Sequence, residues 1–445
     1  MKPKFQSTKT VQMSFQADYQ KLNPEQREAV DKIDGPLLVV AGPGTGKTQL
    51  LSLRVANILD KTDTEAKNIL CLTFTDSASF NMRQRLYTVI GNLAYKVAIH
   101  TFHSFSTEII NQNPEYFFFG ANFKPADELS KIAIFQDIFE NLEFNNPLRS
   151  KYLDTWTYLS AVKSRITDLK QDGLEPDDFR EILKENQDFF EKTKPILLAS
   201  SFQNLKGCKL IDFENFYNQI TEILVSENRP QSQHQSFGKK FISALENLKQ
   251  ILLQQTKFSS IPISNFKKIW FTTTKQGVFF KDEMSQEKLY SLAFIYEKYQ
   301  LAMHQQGLYD FDDMLLEVLK AFRNNFELQA KYQEKFLYIM VDEFQDTNGV
   351  QSKIIDSLLN LEITEGNPNI MVVGDDDQAI FKFQKASLEN ILFFTKKYRT
   401  INTITLTKNY RSNQEILDFV DKIIQNNESR LTHLPGINKK LVAVS

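Results

Sequence analysis

Short apolar runs mark both ends of the chain. Residues 37–41 (LLVVA), 69–74 (ILCLTF), 336–341 (FLYIMV), 370–373 (IMVV) and 401–406 (INTITL) are of strand length. Each is followed by polar, chemically loaded residues and then by a helical pattern. A strand that is apolar on both faces belongs inside a parallel sheet covered by helices. The layout therefore predicts an α/β fold with a doubly wound parallel sheet, whose functional groups gather at the carboxyl ends of its strands. Residues 1–20 show no clear periodicity and read as a polar leader.

Between about 111 and 286 the period changes. Ile132, Phe135, Ile138 and Phe139, and later Phe241, Leu245, Leu248 and Leu252, recur at helical spacing. This region reads as a mainly helical domain inserted into the α/β core. Its stretch 226–236 (SENRPQSQHQS) breaks the pattern and reads as a mobile loop. A helical pattern through Leu289, Leu292, Tyr296, Tyr299 and Met303 leads back to the core. The expected division is 1–110 and 287–399 for the core, 111–286 for the insert and 400–445 for the opening of a further α/β domain.

The run 37–41 feeds directly into Ala41-Gly42-Pro43-Gly44-Thr45-Gly46-Lys47-Thr48. Small residues after a buried strand let backbone N–H groups curl around phosphate oxygens, and the next helix presents its positive end. Lys47 adds a point charge, and the Thr48 hydroxyl suits Mg²⁺. The strict pattern opens with Gly; Ala41 is a small replacement. The run 336–341 delivers Asp342 and Glu343 side by side. Asp342 suits the Mg²⁺ shell, and Glu343 suits the positioning and deprotonation of an attacking water. The run 370–373 leads to Gly374-Asp375-Asp376-Asp377-Gln378, where Gln378 can hydrogen-bond a γ-phosphate. These features predict an enzyme that hydrolyses a nucleoside triphosphate.

Composition narrows the setting. The chain has 445 residues, enough for several cores, and only two cysteines, Cys71 and Cys208. That excludes a disulfide framework and fits a reducing cytoplasm. No apolar run reaches the roughly 18 residues of a membrane span, and the first residues lack the apolar core of a signal peptide. Lys and Arg number 53 against 55 Asp and Glu, a formal charge of -2, so nucleic-acid binding would need a local groove rather than a broad basic face. Phenylalanine is unusually frequent, at 37.

Taken in order, the motifs resemble those of UvrD/Rep-type superfamily 1A DNA helicases. Leu22-Asn23-Pro24-Glu25-Gln26-Arg27 is similar to the Q motif, Thr73-Phe74-Thr75 to motif Ia and Thr101-Phe102-His103-Ser104 to motif Ib. Asp310-Phe311-Asp312-Asp313-Met314 resembles the segment just before motif II, and 341–348 (VDEFQDTN) motif II itself. Residues 373–386 resemble motif III, and Asn409-Tyr410-Arg411-Ser412 motif IV. The resemblance implies a RecA-like P-loop NTPase sheet that binds ATP and Mg²⁺ and moves on single-stranded or tailed duplex DNA with 3′-to-5′ polarity. It implies that Gln26 reads adenine, that Tyr410 stacks on it and that Arg411 reaches the γ-phosphate. It also implies DNA contacts from Phe74, Thr75, His103 and Phe383.

Three departures stand out. Gln49 replaces the usual Arg beside the base, Asp76-Ser77 the usual Asn-Lys, and Gln384-Lys385 the usual Arg-Gly. After Ser412 nothing resembles motifs V and VI, so residues 400–445 are expected to open a truncated second RecA-like domain. The partner implied is a C-terminal helicase half or a nuclease. Two other readings stand beside the helicase: the motor part of a recombination helicase–nuclease, and a nucleotide-sensing, DNA-binding subunit that does not unwind.

Overall fold

The alternation of side chains along the apolar runs explains the architecture. In β1 (Leu37–Ala41), Leu38 and Val40 face one hydrophobic core while Leu37, Val39 and Ala41 face another. The same division holds for β2 (Ile69–Thr73), β4 (Tyr338–Val341) and β5 (Ile370–Gly374). Two cores demand a helical cover on each face. Helices α2 (Pro24–Asp31), α3 (Lys47–Lys61) and α4 (Asp76–Ile90) cover one, burying Val30, Leu50 and Leu86. Helix α5 (Phe102–Gln112) and the helices Phe311–Asn324 and Gly349–Leu358 cover the other.

The computed structural model describes residues 9–117, 123–199, 210–225, 236–254, 259–274, 277–359, 364–379, 388–398, 400–427, 430–431 and 437–444. Phe383, Gln384, Lys385, Cys208 and all of the polar stretch but Ser236 lie outside the described residues. The six-stranded sheet is completed by β3 (Ala98–Thr101) and β6 (Asn402–Leu406), in the order β6-β1-β5-β4-β2-β3 with every pair parallel. Val39 pairs with Val373 on one side and Ile404 on the other. The edge strand β3 escapes sequence reading because it is four residues long and buries only Ile99 and Thr101.

The chain divides into two units, one of Met1–Pro125, Thr167–Gly173 and Gly307–Ser445, the other of Ala126–Ile166 and Leu174–Gln306. The first holds the sheet, and it includes residues 400–445: Asn402–Leu406 pairs with β1 as β6 of this sheet and does not open a further α/β domain. Residues 9–20 within this unit are not an unstructured leader but helix α1 (Lys9–Gln20). Phe15 and Tyr19, one turn apart, pack against the core on the α3 face, and the Tyr19 hydroxyl donates to Asp31 at 2.6 Å. Two aromatics in a polar dozen were too thin a stripe to register as a helix. Another tie in this unit is ionic: the buried Lys170 ammonium lies 2.7 Å from Asp310 and 2.5 Å from Asp313.

The second unit is mainly helical and accounts for much of the phenylalanine. Phe189, Phe190, Phe213, Phe216, Phe237, Phe241, Phe266, Phe271 and Phe280 form one cluster. Its rings meet mostly edge to face or tilted; Phe241 and Phe280, for example, lie 4.9 Å apart at 85°. Helix Gln286–Gln305 belongs to this unit, packing on Pro176–Ala199 and Glu128–Glu140, so the unit runs to Gln306 rather than to 286.

Candidate nucleotide site

The loop after β1 is shaped by two glycines with positive φ. Gly44 (φ 74) lies so close to the chain around motif IV that a Cβ there would sit 2.7 Å from Arg411 Cβ. Gly46 (φ 87) caps the N-terminus of α3 in the left-handed region, where L residues are strained. Thr45 closes the loop by donating its hydroxyl to Gly42 O at 2.7 Å. Behind it, Gln26 donates to Thr45 O at 2.8 Å and accepts from Asn23 N at 3.1 Å, within the capping box that starts α2. In front, Asn409 Nδ2 donates to Pro43 O at 2.5 Å, and Tyr410 N to Gly44 O at 2.9 Å. The loop is thus held from both sides by chain hundreds of residues apart. Sequence reasoning missed Asn409, whose only signal was its place before Tyr410-Arg411.

At the tip of β4, Glu343 adopts φ 50 and ψ 46, a left-handed conformation rare for a residue with a Cβ. The turn aims its carboxylate at Lys47, whose Nζ lies 2.7 Å from Oε2. Asp342 lies behind, 9% exposed, and accepts from Glu343 N at 3.0 Å. Burial, and then the charge of Glu343, push its carboxyl up to about 6 against the pull of Lys47. A carboxylate so placed gains from a cation in front of it, which fits the Mg²⁺ expected with Thr48. Among the described residues no three His, Cys, Asp or Glu side chains form a closed metal cage. Mg²⁺ does not require one, since it binds through one or two protein groups, waters and substrate phosphates.

A cavity of about 660 Å³ lies over this loop. Of the residues expected in the site, Pro43, Gly44, Gly46, Lys47, Thr48, Glu343, Gln378 and Arg411 line it. Ala41, Gly42 and Thr45 form the loop beneath, Gln26 braces it from behind, and Tyr410 stands at the side, 49% exposed. The far wall is a polar face of α4 that sequence reasoning did not foresee: Asn81, Gln84, Arg85 and Thr88 recur at helical spacing. Arg85 donates to Gln49 at 3.0 Å, so a guanidinium stands beside the position where the resemblance implies an Arg.

The expected DNA contacts gather at the carboxyl ends of β2 and β3, apart from Phe383, which lies outside the described residues. Phe74 is half-buried, and the Thr75 side chain caps α4 by accepting from Ala78 N at 3.1 Å. His103 is half-buried, and burial lowers its pKa although Asp76 pulls the other way. Phe311, 64% exposed, meets the His103 ring edge-on at 6.2 Å.

A parallel sheet of this order, with a phosphate-shaped loop after β1 and paired acids after β4, defines the class: a RecA-like P-loop nucleotide-binding fold. The chain belongs to the UvrD/REP helicase N-terminal domain family, whose model matches residues 22–241 and 230–399. It is similar to the ATP-dependent DNA helicase PcrA of Staphylococcus aureus (strain Mu50 / ATCC 700699), at 27% identity over 409 residues. To the PcrA of Bacillus subtilis (strain 168) it is 28% identical over the same length. Both matches cover 92% of this chain but 40% of the relative, so the chain spans about two fifths of the length of these relatives. No helix among the described residues is long and apolar enough to cross a membrane.

Proposed function

We propose that this chain is the ATP-binding portion of an ATP-dependent, 3′-to-5′ DNA helicase or translocase of the cytoplasm that runs on single-stranded DNA. The observation that carries the reading is the meeting of Lys47, Thr48, Glu343, Gln378 and Arg411 around one cavity, from four separate stretches of chain. Lys47 and the loop N–H groups hold the β- and γ-phosphates. Thr48 and Asp342 hold Mg²⁺, which when bound supplies charge neutralisation at those phosphates. Glu343 orients the attacking water and takes its proton, leaving Lys47 for the phosphate as it does so. Gln378 and Arg411 address the γ-phosphate from the opposite side, and Tyr410 and Gln26 receive the base. Phe74, Thr75, His103 and Phe383 form the DNA track, and the exposed edge of Phe311 beside His103 extends it, since an aromatic face accepts any base. Polarity rests on family resemblance.

The test is calorimetry with Mg·ATP. Lys47→Ala should weaken binding by roughly 1–3 kcal/mol, the loss of a charge-assisted contact. Equal affinities of the two proteins would remove the phosphate assignment.

A further inference from the structure

The turn after β5 carries more charge than contact with a phosphate requires. Gln378 reaches the nucleotide cavity, yet Asp375, Asp376 and Asp377 precede it, the first two 1% and 4% exposed. Three carboxylates crowded out of water repel one another unless cations meet them. Those cations come from one later stretch of chain. Lys439 Nζ lies 2.7 Å from Asp375, 2.5 Å from Asp376 and 2.7 Å from Asp377. Burial alone would lower the Lys439 pKa, but Asp375 and Asp376 outweigh it and raise it. Arg430 grips Asp377 through Nε at 2.8 Å and Nη2 at 2.7 Å, and Leu431 N donates to Asp376 at 2.8 Å.

The same stretch touches the phosphate loop. Val442–Ala443 pairs in parallel with Lys408–Asn409, and a Cβ on Gly42 would lie 3.0 Å from Leu441 Cδ1. On the inner side, Asp375 is a hub. One of its oxygens meets Lys439, and the other accepts from Gln378 Nε2 at 2.7 Å. Its N–H donates to Gln345 Oε1 at 2.9 Å, and Gln345 Nε2 donates to Glu343 at 2.8 Å. Gln345 is 1% exposed, and only a glycine at 374 leaves it room, since a Cβ there would sit 2.8 Å from Oε1.

We propose that Lys439, with Arg430, is a positioning residue for Gln378, and that Gln345 and Asp375 join residues 430–431 and 437–444 to Glu343, so that these residues govern recognition of the third phosphate. The proposal rests on the reading of the cavity as a nucleoside triphosphate site. Neutralising Asp375 lets it orient the Gln378 amide without pulling the turn apart. An unneutralised triplet would splay, and Gln378 would leave its place.

The readout is the preference for a non-hydrolysable Mg·ATP analogue over Mg·ADP, measured by calorimetry on the 445-residue protein. Gln378→Ala should lower that preference about 10-fold, as for one hydrogen bond to a charged group. Lys439→Met should lower it by a similar factor with Mg·ADP affinity unchanged, Lys439→Arg should restore it, and Gln378→Ala added to Lys439→Met should cost nothing more. Because Lys439→Met strands three carboxylates, Lys439→Met/Asp376→Asn provides the same ratio in a less charged turn. A preference intact in both Met variants, or equal losses for the two nucleotides, overturns the proposal. If Gln378→Ala leaves the preference intact while wild type binds both nucleotides, this proposal alone falls. If wild type binds neither, the nucleotide reading falls with it.

Discussion

Lys170 faces Asp310 and Asp313 with one positive charge between two buried carboxyls. Burial raises both, but the charge and hydrogen bond of Lys170 bring Asp310 below its usual range. Asp313 keeps the excess: burial pushes it up to about 7, Asp310 adding to the rise and Lys170 opposing it. The folded chain therefore holds a proton that the unfolded chain releases near pH 4. Stability from this group is fully present below about pH 4 and is lost as pH rises through about 7. Asp313→Asn keeps an oxygen for the Asp310 N–H, which now donates at 2.9 Å, and removes the charge. It should be more stable than wild type by about 1–3 kcal/mol at pH 8 and no more stable at pH 4. Urea midpoints at the two pH values decide it, and a variant weaker at pH 8 would mean that the charge sits there without cost. Legibility at this scale followed sequence distance. Lys47, Thr48 and Glu343 were readable because each works within a local motif. Gln345, Asn409 and Lys439 were not, because their partners lie 30, 366 and 63 positions away and only the fold brings them together.

Among the elements, α2 depends on a neighbour. It has only eight residues, too few to be stable alone, and it carries Gln26. Its C-terminal end is held by Arg54 of α3, 1% exposed, which donates to Ala29 O at 2.7 Å, Ile33 O at 3.1 Å and also Lys32 O. Burial pushes the guanidinium down to about 10. Asn57 adds a bond to Val30 O at 2.8 Å. Arg54→Met fills the space but strands those carbonyls, and should cost about 3 kcal/mol in chemical denaturation. Losses confined to a few tenths would show that water replaces the guanidinium. Nucleotide affinity should fall in the same variant, because α2 sets the reach of Gln26 to the phosphate loop. The strands of the inner sheet were legible because both faces are buried and each reads as an apolar run. Helix α1 and strand β3 were not, since Phe15 and Tyr19, or Ile99 alone, leave too little pattern to separate from a loop. In the second unit the helical spacing of Phe241, Leu245, Leu248 and Leu252 was legible and all four lie in its core, but which rings meet there is fixed by helix packing.

For the molecule as a whole, the balance of charge decides how far the chemistry can run. Phosphoryl transfer needs the charge developing on the γ-phosphate neutralised, and one arginine in the right place is worth about 10³–10⁵ in rate. Among the described residues, Lys47, Arg85 and Arg411 are the cations lining the cavity. With Lys47 assigned to the phosphates by the reading proposed above and Arg85 donating to Gln49, Arg411 is left among the described residues to meet the γ-phosphate. The family resemblance implies a second arginine there, and no stretch of these 445 residues after Ser412 resembles the motifs expected to supply it. A polypeptide of these 445 residues should therefore bind Mg·ATP, hydrolyse it at least about 10³-fold more slowly than a full-length relative, and unwind nothing. Glu343→Gln should change that slow rate little, because proton removal is not what limits it. In a longer polypeptide that brings the second arginine, the same substitution should abolish turnover. DNA binding should survive in the 445 residues, prefer single strands and weaken as salt rises, because a net charge of -2 leaves only a local track to meet phosphates. Single-strand-stimulated ATPase beside unwinding of a 3′-tailed duplex measures all of this together. Rapid turnover with unwinding by these residues alone would mean that the second cation is already within the chain, with Arg85 swinging from Gln49 to the phosphate as the first substitution to try.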